Sequence, residues 1–255
     1  MTVNILCMRW GALYGAPYVN RLHSMVRRHL QRSFRFVCFT DDAQGLDPGI
    51  EVLPLPTVQS VHGQGDTRWR KLGVFAGTIA DLSGPALFLD LDLVIVGGLD
   101  RFFDYPGEFC VVRDVDLFRT KWVDLFRPQQ RRWRPLIGNT SVFRFEIGAH
   151  AGLVQRYERE AAAIHAKHPR SQEYVTEYFL EKNALQYWPR EWCRSFKNEC
   201  VPRGIRSYFQ DPTVPEGARI VLFAGNLKQE DVLAGRGNTF YRRIGPVPWL
   251  DEVWR

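Results

Sequence analysis

The chain has 255 residues, is 45% hydrophobic and carries a formal net charge of +6. This length supports one substantial core, and neither the composition nor any repeat points to a collagen, a coiled coil or a disordered protein. A basic chain favours anionic partners such as phosphates, nucleic acid or a membrane surface. The charge by itself does not separate these partners from a merely basic, soluble protein.

The beginning of the sequence and its cysteines predict a cytoplasmic protein. The stretch MTVNILCMRW lacks the basic and apolar regions of a signal peptide, and no window offers the ~20 uninterrupted apolar residues of a membrane span. The five cysteines are odd in number and form no CxxC pair. A reduced protein in the cytoplasm is therefore expected.

The first half of the chain alternates strands and helices. Apolar runs predict a strand over residues 3–10, a helix over 18–30 and a second strand over 34–42. This opening favours a parallel sheet covered by helices. A helix over 68–82 is then predicted to lead into a buried strand over 86–96.

The second half starts with a segment of weak periodicity, residues 105–137, which is rich in Arg, Trp and Asp. A strand over 138–145, helices over 148–167 and 173–182, and a late strand over 218–226 are predicted to follow.

No clear linker divides the chain, so a single α/β domain is expected. Within it we predict a nucleotide-sugar-binding half (1–104), an acceptor half (105–234) and a C-terminal tail (235–255).

Two aspartates, Asp90 and Asp92, lie inside the predicted strand 86–96 and are flanked by apolar residues on both sides. Residues two apart in a regular strand face the same side, so these carboxylates can converge on one ion. Burying a carboxylate costs free energy unless it is paired or bound to a metal, which disfavours simple turn capping. Mn²⁺ or Mg²⁺ is expected here, because both prefer oxygen ligands and share them with substrate phosphates. The carboxyl end of a strand is also where ligands gather in open α/β sheets.

The segment LFLDLDLVIVGGLDRFF resembles the DxD segment of nucleotide-sugar glycosyltransferases with the GT-A fold, most closely the glycogenin and lipopolysaccharide-galactosyltransferase group (family 8). Asp-x-Asp alone is frequent, but four further blocks follow the family's order over roughly residues 3 to 230. These blocks are RWRKLGVF, IGNTSVFRF, SQEY and LFAGNLK. The resemblance implies a GT-A (Rossmann-like) fold with a mostly parallel central sheet flanked by helices. It also implies a hexosyltransferase-like enzyme of polysaccharide biosynthesis that takes a sugar from a nucleotide-diphosphate donor, with UDP as the expected nucleotide.

The resemblance assigns roles to individual residues. Asp90 and Asp92 would hold Mn²⁺ or Mg²⁺ against the diphosphate, and they are joined as catalytic candidates by Asn139 and Gln172. The candidates for binding the donor are Met8, Tyr14, Lys71, Lys197, Gly225 and Lys228.

Several of these roles have open alternatives. Tyr14 could stack on the base or pack on the first helix, and Lys228 could contact the diphosphate or be a solvated lysine. Lys197 could serve the donor phosphates or the acceptor. Asp41 and Asp42 could contact the base or ribose, although turn capping is at least as frequent for such residues.

The chain departs from the family's pattern at two places. Ala224 stands where the family has a His that is the third protein ligand to the metal, and Ser171 stands where it has an Asp. His62 is a possible substitute ligand, although an isolated loop histidine is more often solvated. A weakened metal site is therefore expected, and a catalytically impaired nucleotide-sugar or glycan binder is an alternative to an active enzyme.

The acceptor side is predicted from residues 113–139, where several arginines alternate with Trp122 and Trp133. This segment could dock a glycan, a lipid-linked acceptor or the anionic inner face of the membrane, or it could be a solvated loop. No nucleic-acid-binding motif accompanies it, so nucleic acid is not expected as a partner.

A haloacid-dehalogenase-type phosphatase is a further alternative, because DLDLV matches its nucleophile motif with Asp90 as the nucleophile. That motif normally opens its domain. Here two βα units precede it, and no late strand ends in paired aspartates.

Overall fold

The structure is a computed structural model that describes residues 2–58, 67–114, 136–223, 225, 227–239 and 242–255. The strands are β1 (Val3–Arg9), β2 (Phe34–Thr40), β3 (Glu51–Leu53), β4 (Pro85–Leu89), β5 (Leu93–Ile95), β6 (Phe109–Arg113), β7 (Gly138–Glu146), β8 (Leu185–Tyr187), β9 (Cys193–Ser195) and β10 (Ile220–Leu222). The α-helices are α1 (Ala16–His29), α2 (Asp100–Asp104), α3 (Ala151–Lys167), α4 (Ser171–Glu181), α5 (Gln229–Leu233) and α6 (Pro248–Val253). The chain also forms 3₁₀ helices over Thr67–Phe75 and Gly204–Tyr208 and a π-helix over Phe196–Cys200.

The central sheet has seven strands in the order β3-β2-β1-β4-β7-β6-β8. Strand β7 is antiparallel to both of its neighbours, β4 and β6, and the other described pairings are parallel. The predicted α/β class with a mostly parallel sheet is therefore confirmed. A second sheet of three strands has the order β5-β10-β9.

The central sheet is covered on both faces, as its near-continuous apolar strands require. All seven residues of β1 are buried. Because side chains alternate along a strand, Ile5 packs into the cluster that includes α1, and Leu6 packs into the cluster under α3 and α4.

Helix α1 shows why the sequence folds as it does locally. A proline stands in its first turn, where its missing N–H is not needed, and the apolar residues Val19, Leu22 and Val26 are buried at helical spacing. Arg27, Arg28 and His29 fall in its last turn, where positive charge complements the helix dipole.

The predicted helix over 68–82 is wrong. The chain forms a 3₁₀ helix only as far as Phe75 and then turns, with Ala80 at a φ of 46°. A Cβ added to Gly73 would lie 2.4 Å from Pro56, so this segment is held by close approach to another part of the chain. Tertiary packing overrides the helical pattern here.

The predicted continuous strand over 86–96 is also wrong. The apolar run forms two separate strands in different sheets. Leu89 pairs with Val142 in the central sheet, and Leu93 pairs with Leu222 in the second sheet. Asp90 and Asp92 therefore do not lie on one face of a regular strand. They lie at the corner where the chain passes between the sheets.

Candidate active site

The Asp-Leu-Asp corner is fixed by backbone hydrogen bonds on both sides. The N–H of Asp90 donates to the carbonyl of Ser141 at 2.9 Å, and the N–H of Phe223 donates to the carbonyl of Asp92 at 2.9 Å. Leu91 is buried in the core between them. The central sheet thus holds Asp90 and the second sheet holds Asp92, at the carboxyl end of β4.

The Asp90 carboxylate is paired with Lys71. Lys71 Nζ lies 2.6 Å from Asp90 Oδ1 and also donates to the carbonyl of Thr140 at 3.1 Å. Burial raises the pKa of Asp90, the Lys71 ammonium opposes that shift, and the charge of Asp92 raises the pKa further. Lys71 therefore stabilises a carboxylate that would otherwise be poorly solvated.

The Asp92 carboxylate is paired with two residues from distant parts of the chain. Lys228 Nζ lies 3.0 Å from Asp92 Oδ2, and the hydroxyl of Tyr14 donates to the same oxygen at 3.1 Å. Lys228 also donates to the Tyr14 hydroxyl, which closes a triangle of hydrogen bonds. Burial, followed by the charge of Asp92, raises the pKa of Tyr14, so its phenol stays a donor.

The ring of Tyr14 packs edge-on against Tyr18 of α1, with centroids 5.0 Å apart. The structure thus shows the packing alternative for Tyr14, and stacking on a base stays a prediction. The loop that carries Tyr14 is tied down by Arg9, which sequence analysis missed. Arg9 donates to the Tyr14 carbonyl at 3.2 Å and to the Asp42 carboxylate at 2.8 Å.

Asp42 serves a turn at the end of β2. Its carboxylate accepts the N–H of Gln44 at 2.9 Å as well as the Arg9 bond, and these contacts lower its pKa. The exposed Asp41 lies beside it. The geometry of Asp42 agrees with the turn-capping alternative.

Lys228 is positioned by the start of α5. Its N–H donates to the Asp231 carboxylate at 3.0 Å, which is a helix-capping contact. The next residue, Gln229, is fully buried and donates from Nε2 to the carbonyl of Leu93 at 3.2 Å. Gln229, which sequence analysis also missed, therefore attaches the Lys228 segment directly to the aspartate corner.

Asn139 and Gln172 lie along β7 and the start of α4. Asn139 Oδ1 accepts the N–H of Ser141 at 2.9 Å, and Ser141 is the residue that holds the Asp90 backbone. Gln172 Nε2 donates to the carboxylate of Asp114 at 2.9 Å. Asp114 follows β6 and is only 5% exposed, so a third carboxylate, more deeply buried than Asp90 and Asp92, lies at this edge of the sheet. The sequence analysis did not single out Asp114, because no strand was predicted before it.

The other three residues predicted to bind the sugar donor have no described hydrogen bond to Asp90 or Asp92. Lys197 is exposed and lies two residues after Ser195, which pairs with Leu222 next to the aspartate corner. Gly225 is exposed, with a φ of +92° and open space where a Cβ would lie. Met8 is 4% exposed and packs into the core, so its side chain does not reach this surface.

Three predicted features lie outside the described residues. They are Ala224, His62 and the greater part of the predicted acceptor segment, residues 115–135 with Trp122 and Trp133.

The carboxylate oxygens of Asp90 and Asp92 are suitable ligands for a metal ion that is also bound by a substrate. Among the described residues no group of three or more His, Cys, Asp or Glu side chains could hold a metal ion. Mg²⁺ is, however, usually bound by one or two carboxylates together with substrate phosphates. Asp90 and Asp92 fit that mode, provided that a cation takes the place of Lys228 on Asp92.

Comparison with known proteins shows the fold. No family model matches the sequence, and no curated protein matches it either. The galactosyltransferase LgtC, solved in complex with donor and acceptor sugar analogs, is 14% identical with a TM-score of 0.61, covering 89% of this chain and 88% of LgtC. A structure of an LgtC active-site mutant is 13% identical with a TM-score of 0.57, over 89% of each chain. The bifunctional glycosyltransferase WbbM is 12% identical with a TM-score of 0.58, over 89% of this chain and 46% of WbbM.

These likenesses confirm the predicted GT-A architecture, that is, a Rossmann-like, mostly parallel sheet flanked by helices. In the part of the chain that is described, no helix is long and apolar enough to span a membrane.

Proposed function

We propose that the chain is a glycosyltransferase that moves a sugar from a nucleotide-diphosphate sugar to a glycan or lipid-linked acceptor. UDP is the expected nucleotide. The observation that carries the proposal is the meeting of Asp90, Asp92, Lys71 and Lys228 at the carboxyl end of β4, on a fold shared with sugar transferases. This edge is where open α/β sheets bind nucleotides.

The acidic corner is proposed to hold Mn²⁺ or Mg²⁺ through Asp92 and Asp90. The metal would neutralise charge on the leaving diphosphate. The chain's own contribution is to place an ammonium beside each carboxylate of this partly buried site, with Lys71 beside Asp90 and Lys228 beside Asp92.

Lys228 is the proposed protein contact to the diphosphate. Its ammonium is a compact charge that suits phosphate oxygens, and it lies 3.0 Å from Asp92 Oδ2. When a donor enters, Lys228 would turn from the carboxylate to the phosphates. The freed oxygen of Asp92 would then be available to the cation.

The residues on β7 and at the start of α4 are proposed to bind the sugars. Asn139 lies beside the aspartate corner, and Gln172 holds the buried carboxylate of Asp114 at the same end of the sheet. Amide and carboxylate groups of this kind are the usual partners of sugar hydroxyls. Lys197, Gly225 and Tyr14 are proposed to line the donor site from the second sheet and from the loop after β1.

Calorimetric titration of UDP tests the donor site. Wild type should bind UDP with Mn²⁺ and lose most of that affinity with EDTA, and Asp92→Ala should lose it in both conditions. Asp251→Asn is a matched control, because Asp251 is exposed on α6. UDP binding that ignores both the metal and Asp92 would contradict the metal role, and no UDP binding at all would contradict the proposed donor.

A nucleotide-sugar or glycan binder without transfer activity is the second candidate. It is favoured by Ala224, which replaces the family's metal-binding histidine, and by the lysine that already neutralises Asp92. Introducing a histidine by Ala224→His discriminates between the two. A gain in transfer would mark a weakened metal site, and unchanged binding without transfer would favour the binder. The phosphatase alternative gains no support from the fold.

A further inference from the structure

The surface formed by residues 203–209 is unusually apolar for its exposure. Ile205 is 75% exposed, Phe209 81% and Tyr208 44%. Of the seven large hydrophobic residues that are exposed in the described part of the chain, these three fall within five positions. Exposed apolar side chains that occur singly need no explanation, but a cluster of this kind usually marks an interaction surface.

Arginines surround this cluster. Arg203, Arg206 and Arg243 are exposed, and within the described part of the chain none of them is paired with a carboxylate. We refer to the side chains of Arg203, Ile205, Arg206, Tyr208, Phe209 and Arg243 as the arginine–phenylalanine patch. The nearest acidic residue in sequence, Asp211, lies against Gly245.

The backbone that presents the patch is well fixed. Ser207 is buried between the exposed side chains, and its hydroxyl donates to the Gly204 carbonyl at 2.7 Å. The same hydroxyl accepts the N–H of Arg243 at 2.9 Å, which brings that arginine to the patch from the C-terminal segment. The apolar side chains are therefore held outward by a folded 3₁₀ turn.

The segments that carry the patch are attached to a helix that follows a strand of the second sheet. The Arg242 guanidinium donates to the carbonyl of Lys197 at 2.8 Å, and Thr213 N–H donates to the carbonyl of Cys200 at 3.1 Å. Arg242 precedes Arg243, and Thr213 follows the 3₁₀ helix, so these bonds attach the two segments that carry the patch to the π-helix Phe196–Cys200. That helix follows β9, whose partner β10 ends beside Asp92.

We propose that the arginine–phenylalanine patch docks the protein on an anionic phospholipid bilayer. Large apolar side chains ringed by arginines suit the membrane interface, because the apolar groups enter the acyl boundary and the cations pair with anionic headgroups. The patch consists of other residues than the arginine- and tryptophan-rich segment 113–139 that the sequence suggested. It would place the candidate active site near the bilayer, where a lipid-linked acceptor is carried. This last consequence rests on the proposed function, whereas the membrane affinity does not.

Sedimentation with lipid vesicles tests the proposal on the full chain without any donor. Wild type should bind vesicles of phosphatidylcholine mixed with phosphatidylglycerol, bind pure phosphatidylcholine vesicles weakly, and lose affinity as salt is raised. The pair Ile205→Ser and Phe209→Ser should weaken binding by roughly tenfold or more. The pair Arg203→Gln and Arg206→Gln should weaken it by about fivefold for each arginine and reduce its salt dependence.

Two matched controls should leave vesicle binding unchanged. Val52→Ser removes an exposed apolar side chain (43%) on β3, outside the patch, and Arg159→Gln removes an exposed charge on α3. Equal binding of wild type to neutral and anionic vesicles, or wild-type affinity in both patch variants, would overturn the proposal. A dimer in light scattering that Ile205→Ser and Phe209→Ser dissolve would also overturn it, because the patch would then be an interface between two copies. Titration of UDP into the same proteins reports separately on the proposed function.

Discussion

Lys228 Nζ and Asp92 Oδ2 lie 3.0 Å apart although the two residues are 136 positions apart in the chain. Both side chains are mostly buried, with 17% and 21% exposed. Such a pair is stronger than a surface salt bridge, and removing one partner leaves the other charge poorly solvated. In the proposed site the two groups would separate, with Lys228 binding the diphosphate and Asp92 binding the cation.

Lys228→Met should reduce the affinity for UDP by about tenfold to a hundredfold, because a hydrogen bond to a charged group contributes about 1.5–3 kcal/mol. Calorimetry with Mn²⁺ measures the change. Lys182→Met is the control, since Lys182 is exposed at the end of α4. Equal UDP affinity in wild type and Lys228→Met would remove Lys228 from the donor site.

Tyr14→Phe removes the hydroxyl of Tyr14 and keeps its ring, so it distinguishes the contributions of the two. The hydroxyl contacts Asp92 and Lys228, so its loss should lower the free energy of unfolding by about 1 kcal/mol. Urea unfolding measures this change. If the ring stacks on the nucleoside, Tyr14→Phe should keep UDP affinity and Tyr14→Ala should lose it. Equal affinity in both variants would leave Tyr14 only its packing role on α1.

Gln229→Leu tests whether Gln229 positions Lys228. The substitution keeps the volume roughly constant but removes the donor to the Leu93 carbonyl, so stability should fall by about 1–2 kcal/mol. Because α5 would be less firmly attached to the aspartate corner, UDP affinity should fall severalfold. Loss of stability with unchanged UDP affinity would show a role in folding alone.

Stability should decrease when the pH falls below about 7. Burial lowers the pKa of His23, His29, His150 and His168 from the ordinary value. The unfolded chain therefore binds protons at these sites before the folded chain does, so acidification favours unfolding, at about 1.4 kcal/mol for each unit of pKa difference. The free energy of unfolding, measured in urea between about pH 7.5 and 5.5, should fall toward acid.

His23→Leu checks the origin of this slope. His23 packs against the rings of Phe34 and Phe36, and among the described residues it has no hydrogen-bond partner. Leucine cannot titrate, so the slope over the same pH range should become shallower than in wild type. A slope that stays the same would assign the acid sensitivity to His29, His150 and His168.

The sequence alone determined most of the local elements and the class of fold. Strand β1 and helix α1 were predicted to within about two residues at each end. A buried strand and an amphipathic helix both show in the spacing of apolar residues that are close in sequence. The paired aspartates were also visible, since carboxylates inside an apolar run are rare and costly.

Only the tertiary structure decided how the site is assembled. The apolar run around Asp90 looked like one strand, yet it divides between two sheets, because pairing partners such as Val142 and Leu222 lie far along the chain. Arg9, Asp114 and Gln229 carry no local signal, since each acts through a contact with a distant backbone or side chain. Periodicity reports which side of an element is buried, but not what it is buried against. The sequence therefore identified the paired aspartates and, through the family resemblance, Tyr14, Lys71 and Lys228. The packing of two sheets showed how these residues meet and added Gln229 to them.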